Sequence, residues 1–245
     1  MLFFIAFIAL LYGLQISKYC IGWGRIKPEI NQGFTPKVSV VIAMRNEESA
    51  IINLLSSLQK QIYPTDNLEF ILVNDHSTDA TLSLLEQATM DNLLVVNMQD
   101  GEFGKKNAIA RAVQIAKGDI ILATDADCSF TPNWVHAMVA YFADEQIQLV
   151  SGPVNFHRQK GIFQSLQALE FTSLIGSGAG AIGMGNAIFC NGANMAYRKA
   201  VFMEVNDFEA DKAVSGDDVF LLHSVKGKYP TAIAFAKNED AIVTT

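Results

Sequence analysis

Cysteine is scarce in this chain and poorly placed for cross-linking. The three thiols, Cys20, Cys128 and Cys190, are odd in number and far apart. Neither a disulfide framework nor a zinc spacing can be built from them, which fits a reducing compartment. Histidine is equally sparse, and His76, His136, His157 and His223 show no metal-ligand spacing. Basic charge is also in deficit, with 18 Lys and Arg against 25 Asp and Glu and a net charge of −7. Nothing in that balance suggests nucleic-acid binding, which would call for a basic stripe and stacking aromatics. Two nucleotide signatures are missing as well. No Gly-x-Gly-x-x-Gly follows the first β-branched run, and no Gly-x-x-x-x-Gly-Lys-Ser/Thr loop occurs, so neither a dinucleotide fold nor a P-loop is expected.

What the chain has in quantity is apolar surface: 50% of its residues are hydrophobic. Met1 to Ser17 carries no charged side chain, and the apolar character continues past Lys18 to Trp23. A bilayer is crossed by roughly 20 apolar residues, so residues 1–24 are expected to form a transmembrane anchor with Lys18 snorkelling to the interface. A signal peptide would show a basic start and a small-x-small cleavage site, and neither is visible. Lys18, Arg25, Lys27 and Lys37 follow the span. The positive-inside rule therefore places the remainder on the cytoplasmic side of the cell (inner) membrane. Residues 25–36 are polar with Gly33 and Pro36 and read as a linker.

From Val38 onward strands and helices alternate. The β-branched run Val38–Met44 predicts a buried parallel strand, and the periodicity of Ile51, Leu54, Leu55 and Leu58 predicts a helix over 50–61. Strands are expected at 69–74, 93–97 and 120–123, with helices from the Asp75–Asp79 turn to about 89 and over 107–117. Such alternation means an α/β domain with a mainly parallel sheet. Beyond it, helices are predicted over 132–142, 162–175 and 219–225, and strands over 148–154, 231–235 and 241–244. Phe171 to Cys190 is uncharged, but its five glycines argue for a helix running into a mobile or interfacial loop.

Chemistry concentrates at the strand ends. Asp125 and Asp127 follow the strand at 120–123, two residues apart and so on one face of an extended chain, with Ala126 between. Oxygen-only ligands suit Mg²⁺ or Mn²⁺, which leave part of their shell to water and phosphate. Alone, such a pair is an acidic turn. Arg45 and Asp75 fall at the same carboxyl edge, where ligands of open α/β sheets bind. Gly104-Lys105-Lys106 are the phosphate-facing candidates. Asp75 and Asp79 serve as helix caps, and Asp75 is also placed to accept hydrogen bonds from a base or ribose. Asp217 and Asp218 suit a helix N-terminus.

The motifs VSVVIAMRNEESAI (38–51), LVNDHSTDAT (72–81), Gly104-Lys105, TDAD (124–127), NGANMAYRKAVF (191–202) and SGDD (215–218) resemble, in order, those of the inverting family 2 glycosyltransferases. The resemblance implies a GT-A fold over 37–245, a nucleotide-diphosphate sugar donor and a divalent metal. Uridine is the base expected here, and the acceptor is expected to be a lipid, because the anchor would hold the site near the membrane, or a glycan. By matching position, Ala43, Arg45, Glu47 and Asp75 would hold the nucleoside and Lys105 would lie near the base or diphosphate. Asp125 would contact the sugar-nucleotide, Asp127 would ligate the metal and Asp218 would be the catalytic base. Asp217 stands where the family usually has Glu. The Gln-x-x-Arg-Trp motif and further spans of membrane members are not met before Thr245, so a C-terminally truncated domain is expected. The rival expectation is an inactive or truncated nucleotide-binding remnant acting as a membrane-associated binding module. A sugar nucleotidyltransferase is set aside, because Met44-Arg45-Asn46-Glu47 is not the glycine-rich signature it requires.

Overall fold

The strand that fixes the architecture is β1 (Val38–Met44), whose β-branched side chains are buried on both faces. The computed structural model describes residues 1–28, 33–157, 161–205 and 216–245. Before β1 lies α1 (Leu2–Arg25), and after it come α2 (Ile51–Gln59), β2 (Leu68–Asn74), α3 (Thr81–Glu86), β3 (Leu93–Asn97), α4 (Lys105–Ile115) and β4 (Ile120–Thr124). The second half holds β5 (Ser129–Phe130), α5 (Trp134–Val139), β6 (Leu149–Ser151), β7 (Val154–Asn155) and α6 (Ile162–Gly183). It closes with β8 (Met195–Arg198), α7 (Lys199–Val205), α8 (Asp217–Lys228), β9 (Ile233–Phe235) and β10 (Val243–Thr244).

The main sheet runs β3-β2-β1-β4-β8-β6-β9. β1 pairs in parallel with β2 and β4, aligning Val38 with both Leu68 and Ile120. β8 is the antiparallel member, against β4 on one side and β6 on the other. The parallel half therefore delivers the carboxyl ends of β1, β2 and β4 to one edge. At the opposite edge a Cβ on Gly118 would sit 2.4 Å from the Ser39 amide nitrogen, so only glycine lets the turn before β4 pass so close to β1. Its amide donates to the buried Ser39 hydroxyl (2.8 Å), which itself donates to Glu69.

Two expectations need correction. The strand predicted over 148–154 is divided: β6 belongs to the main sheet, while β7 joins β5 and β10 in a small second sheet. Gly152-Pro153 makes the break, since proline offers no amide to a ladder. The buried Asn194 side chain ties the sheets together. It accepts from Trp134 Nε1 (3.1 Å) and donates to the carbonyls of Pro153 (2.8 Å) and Ala241 (2.7 Å).

The second correction is α6, which does not end near residue 175. It continues through Gly176, Gly178 and Gly180 to Gly183. Glycine disfavours an isolated helix, but here it allows close approach to α1. A Cβ on Gly22 would lie 1.9 Å from the Gly180 carbonyl oxygen, and one on Gly180 would lie 2.3 Å from that of Tyr19. The crossing is locked by Lys237, which donates to the Trp23 carbonyl (3.0 Å) and stands over its ring. Among the described residues, Phe3–Arg25 is the one helix long and apolar enough to cross a membrane. Of the linker expected over 25–36, residues 29–32 lie outside the described part. Its end is fixed, since Thr35 and Pro36 carbonyls accept from Asn67 and Tyr63.

Candidate active site

The ends of β1, β2 and β4 and the start of α4 surround an open cleft of about 400 Å³. It is lined by Ala43, Met44, Arg45, Glu47, Asp75, Lys105, Asp125, Ala126 and Asp127. Every residue the resemblance assigns to the donor and metal sites is therefore brought to one place, while of the phosphate-facing candidates Lys105 lines the cleft and Gly104 and Lys106 do not. Met44 and Ala126 are additions that apolar side chains in a motif do not announce.

The loops after β1 and β2 are knitted together. Asn46 takes a left-handed conformation (φ 59°), which its short amide side chain tolerates. Its backbone amide donates to Ser77 Oγ (3.0 Å) and its Oδ1 accepts from the Thr78 amide (2.8 Å). The Glu47 amide donates to Thr81 Oγ1 (2.8 Å), and Glu48 Oε2 accepts from the Ala80 amide (2.9 Å). These bonds hold Arg45 and Glu47 at the cleft without engaging their head groups.

Asp75 is almost fully buried at the end of β2. Its Oδ1 is 2.9 Å from His76 Nδ1, and its Oδ2 accepts from the Gly104 amide (2.9 Å). The second bond links β2 to the turn that starts α4, where Gly104 has φ 95°. The simple helix-cap reading of Asp75 thus gives way to a bridge between two loops of the cleft, while Asp79 does accept from the Thr81 amide (3.0 Å) at the start of α3. His76 (φ 55°) packs on the Phe103 ring, 4.4 Å between centroids. Nothing in the sequence marked either contact.

Asp125 and Asp127 both face the cleft, but strand alternation is not the reason. β4 ends at Thr124, and the Cys128 amide reaches back to the Asp125 carbonyl (3.3 Å), closing a turn. Ala126 is buried beneath it. Asp125 Oδ1 pairs with Lys105 Nζ at 2.5 Å, and Asp127 Oδ2 accepts from Thr245 Oγ1 at 3.1 Å. Partial burial holds the Glu47 carboxyl above its ordinary value, helped by the charges of Asp127, Asp125 and Asp79. An under-neutralised acidic patch of this kind suits a cation. Among the described residues no group of three His, Cys, Asp or Glu side chains could hold a metal by itself. Two carboxylates facing an open cleft nevertheless fit Mg²⁺ or Mn²⁺ taking its remaining ligands from water and a diphosphate. Buried Cys128 is no competitor: burial, then the Asp125 charge, pushes its thiol up to about 12.

Asp218 stands at the first turn of α8 rather than in the lining of this cleft. Its Oδ2 accepts from the Gly192 amide (2.8 Å) and its Oδ1 from the Val219 amide (2.8 Å). Thr124 Oγ1 donates to the Ala193 carbonyl (2.7 Å), so the 191–194 loop that holds Asp218 is tied directly to the strand leading into Asp125. Asp217 begins the α8 backbone, but its side chain and Ser215 lie outside the described part.

The parallel sheet with its antiparallel β8, and the acidic turn after β4, define a GT-A fold. In accord with this, the structure superposes on a mannosyltransferase from Pyrobaculum calidifontis in complex with GDP-Man and Mn²⁺ (TM-score 0.71, 21% identity, covering 98% of this chain and 67% of that one). It also matches Staphylococcus aureus TarS 1-349 in complex with UDP-GlcNAc (TM-score 0.60, 22% identity, 85% of this chain and 58% of that one). Residues 39–205 match the profile described as Glycosyl transferase family 2, and the chain belongs to that family. Its curated relatives include the poly-beta-1,6-N-acetyl-D-glucosamine synthase of Staphylococcus aureus, 26% identical over 193 residues (76% of this chain, 45% of the relative). Glycosyltransferase AglE of Haloferax volcanii is 29% identical over 143 residues (57% and 46%). The chain spans just under half the length of these relatives.

Proposed function

We propose that this chain carries the donor site and catalytic base of a metal-dependent inverting glycosyltransferase. It moves a sugar from a nucleotide diphosphate, favoured as UDP, to a hydroxyl of a lipid or glycan acceptor. The observation that supports this most is the convergence of Arg45, Lys105, Asp75, Asp125 and Asp127 on one cleft. α1 serves as a membrane anchor over residues 1–24, with the domain at 37–245 on the cytoplasmic side of the inner membrane.

Ala43, Arg45, Glu47 and Asp75 hold the nucleoside. Asp75 is already oriented by His76 and Gly104 and so needs no rearrangement to accept a hydrogen bond. Lys105 sits beside the diphosphate, where its ammonium offsets charge on the leaving group. Asp127, with Asp125, holds Mg²⁺ or Mn²⁺, which supplies Lewis-acid stabilisation of that same charge. Asp218 Oδ takes the proton of the acceptor hydroxyl as its oxygen bonds to the anomeric carbon. The anomeric carbon–phosphate oxygen bond breaks, and its electron pair leaves with the nucleoside diphosphate. Attack and departure are on opposite faces, so one displacement inverts the centre and no nucleophilic side chain is required. The amides of Gly192 and Val219 keep the Asp218 carboxylate aimed.

The test is thermal unfolding of the full chain in detergent with UDP, GDP or CDP, each with and without Mn²⁺, for wild type and Asp127→Ala. A ligand at 100 times its Kd adds about 2.7 kcal/mol. Metal-dependent stabilisation by one nucleotide, lost in the variant, is expected. No response from a cooperatively melting protein refutes the donor site.

A further inference from the structure

Phe103 is a large apolar ring held at the edge of the cleft and left open to solvent. It is 54% exposed, an arrangement that costs free energy in water, and among the described residues the hydrophobic core is built without it. Its backbone is nevertheless fixed. The Phe103 carbonyl accepts from Asn107 Nδ2 (2.8 Å), and the next amide, that of Gly104, donates to Asp75 Oδ2 (2.9 Å).

His76 backs this ring. The two centroids are 4.4 Å apart and the planes 33° from parallel, so one face of Phe103 is covered and its exposure belongs to the other face and the edge. His76 keeps that place at a cost. Its backbone is left-handed (φ 55°), which L side chains disfavour. Asp75 Oδ1 accepts from its Nδ1, and Nε2 is left buried with no hydrogen-bond partner among the described residues, a state native structures rarely tolerate. Each ring thus stands one residue from the Asp75–Gly104 hydrogen bond that ties β2 to the start of α4. Asp75 and Lys105, the residues on the far side of each step, both line the cleft. An aromatic face, a carboxylate acceptor and an ammonium therefore follow one another across this bridge. Those are the chemistries that match a base, its ribose and a diphosphate in turn.

We propose that Phe103 is the base-stacking residue of the donor site, receiving the nucleobase on the face that His76 leaves open. This rests on the reading of the cleft as a nucleoside-diphosphate site and extends it by naming what grips the base. Every base has a π face, so the stack supplies affinity, while the choice among bases falls to hydrogen bonds such as those Asp75 can accept.

The test titrates the full chain in detergent, with Mn²⁺, against UDP and against dihydrouridine diphosphate, whose base keeps its hydrogen-bonding edge but is neither planar nor aromatic. Wild type should bind UDP about 5- to 100-fold more tightly than the dihydro compound, the range of one base–aromatic stack. Phe103→Leu should erase that preference, which isolates the pairwise effect of ring and base. Phe103→Trp should retain it, and the fluorescence this variant adds should be quenched by UDP, a readout that stands even where Phe103→Leu fails to fold. UDP binding without preference in wild type, equal loss of both ligands in Phe103→Leu, or UDP binding to Phe103→Trp without quenching each overturns the stack and leaves the donor site standing. No binding of UDP by wild type removes the uridine donor site itself, and the stack with it.

Discussion

Lys105 Nζ lies 2.5 Å from Asp125 Oδ1, joining the first residue of α4 to the turn after β4. Both side chains are partly exposed, so the pair contributes little to stability; in the proposed donor site it would hold a cation beside the diphosphate. Lys105→Gln should weaken nucleoside-diphosphate binding by about 10- to 100-fold, equivalent to about 1.5–3 kcal/mol for a hydrogen bond to a charged group. It should leave thermal unfolding of the free protein nearly unchanged. Calorimetric titration of both proteins checks this.

Asp218→Asn keeps an oxygen that can accept from the Gly192 amide but removes the proposed base. Sugar transfer should fall by about 10²- to 10⁴-fold, while the nucleotide-dependent shift in melting persists. Loss of nucleotide binding in this variant would instead place Asp218 in the donor site.

Glu47 gives a pH signature with a definite sign. Its carboxyl is held above the ordinary 4.5 by burial, then by Asp127, Asp125 and Asp79. The folded protein thus retains a proton at Glu47 where the unfolded chain has released it. The stabilisation this gives is complete below the unfolded value and is lost as pH rises through the raised one. Glu47→Gln should therefore be modestly more stable than wild type at pH 7, with the advantage vanishing below about pH 4. Added Mn²⁺ should shrink the difference at neutral pH by neutralising the neighbouring acids. Melting curves of the two proteins across pH, with and without metal, measure it.

The α6 glycines should separate into two kinds. Gly180→Ala places a methyl 2.3 Å from the Tyr19 carbonyl oxygen and should cost about 1–3 kcal/mol through overpacking. Gly176→Ala meets nothing within 4 Å and should be neutral or stabilising by up to about 1 kcal/mol from helix propensity. Unfolding of the full chain in detergent distinguishes them.

That contrast also explains where sequence reading succeeds. β1 was legible to the residue, because a parallel strand buried on both faces writes a continuous β-branched run. Arg45, Lys105 and the Asp125–Asp127 pair were legible because motif and strand end coincide, although a turn rather than strand pleat brings the two aspartates together. The run of glycines after Ile175 was misread for a physical reason. Glycine signals a break by its local propensity, and only a partner distant in sequence turns it into a spacer. The Asp75–Gly104 bridge, the Thr245 contact with Asp127 and the burial of Asn194 are hidden for the same reason, since each joins segments that no local pattern connects.

The closeness of α1 and α6 has a consequence for how the chain is made. Arg25 and Met184 are 159 residues apart in sequence, and Lys237 reaches Trp23 across 214. Closing a loop of that size is entropically costly and slow. α1 is thus docked late, after β1, β2, β3, β4 and β6 of the main sheet have been translated. Until Gly180 arrives, the crossing face of α1 has no partner. A chain that stopped short of Gly180 would leave the crossing face of α1 unpaired.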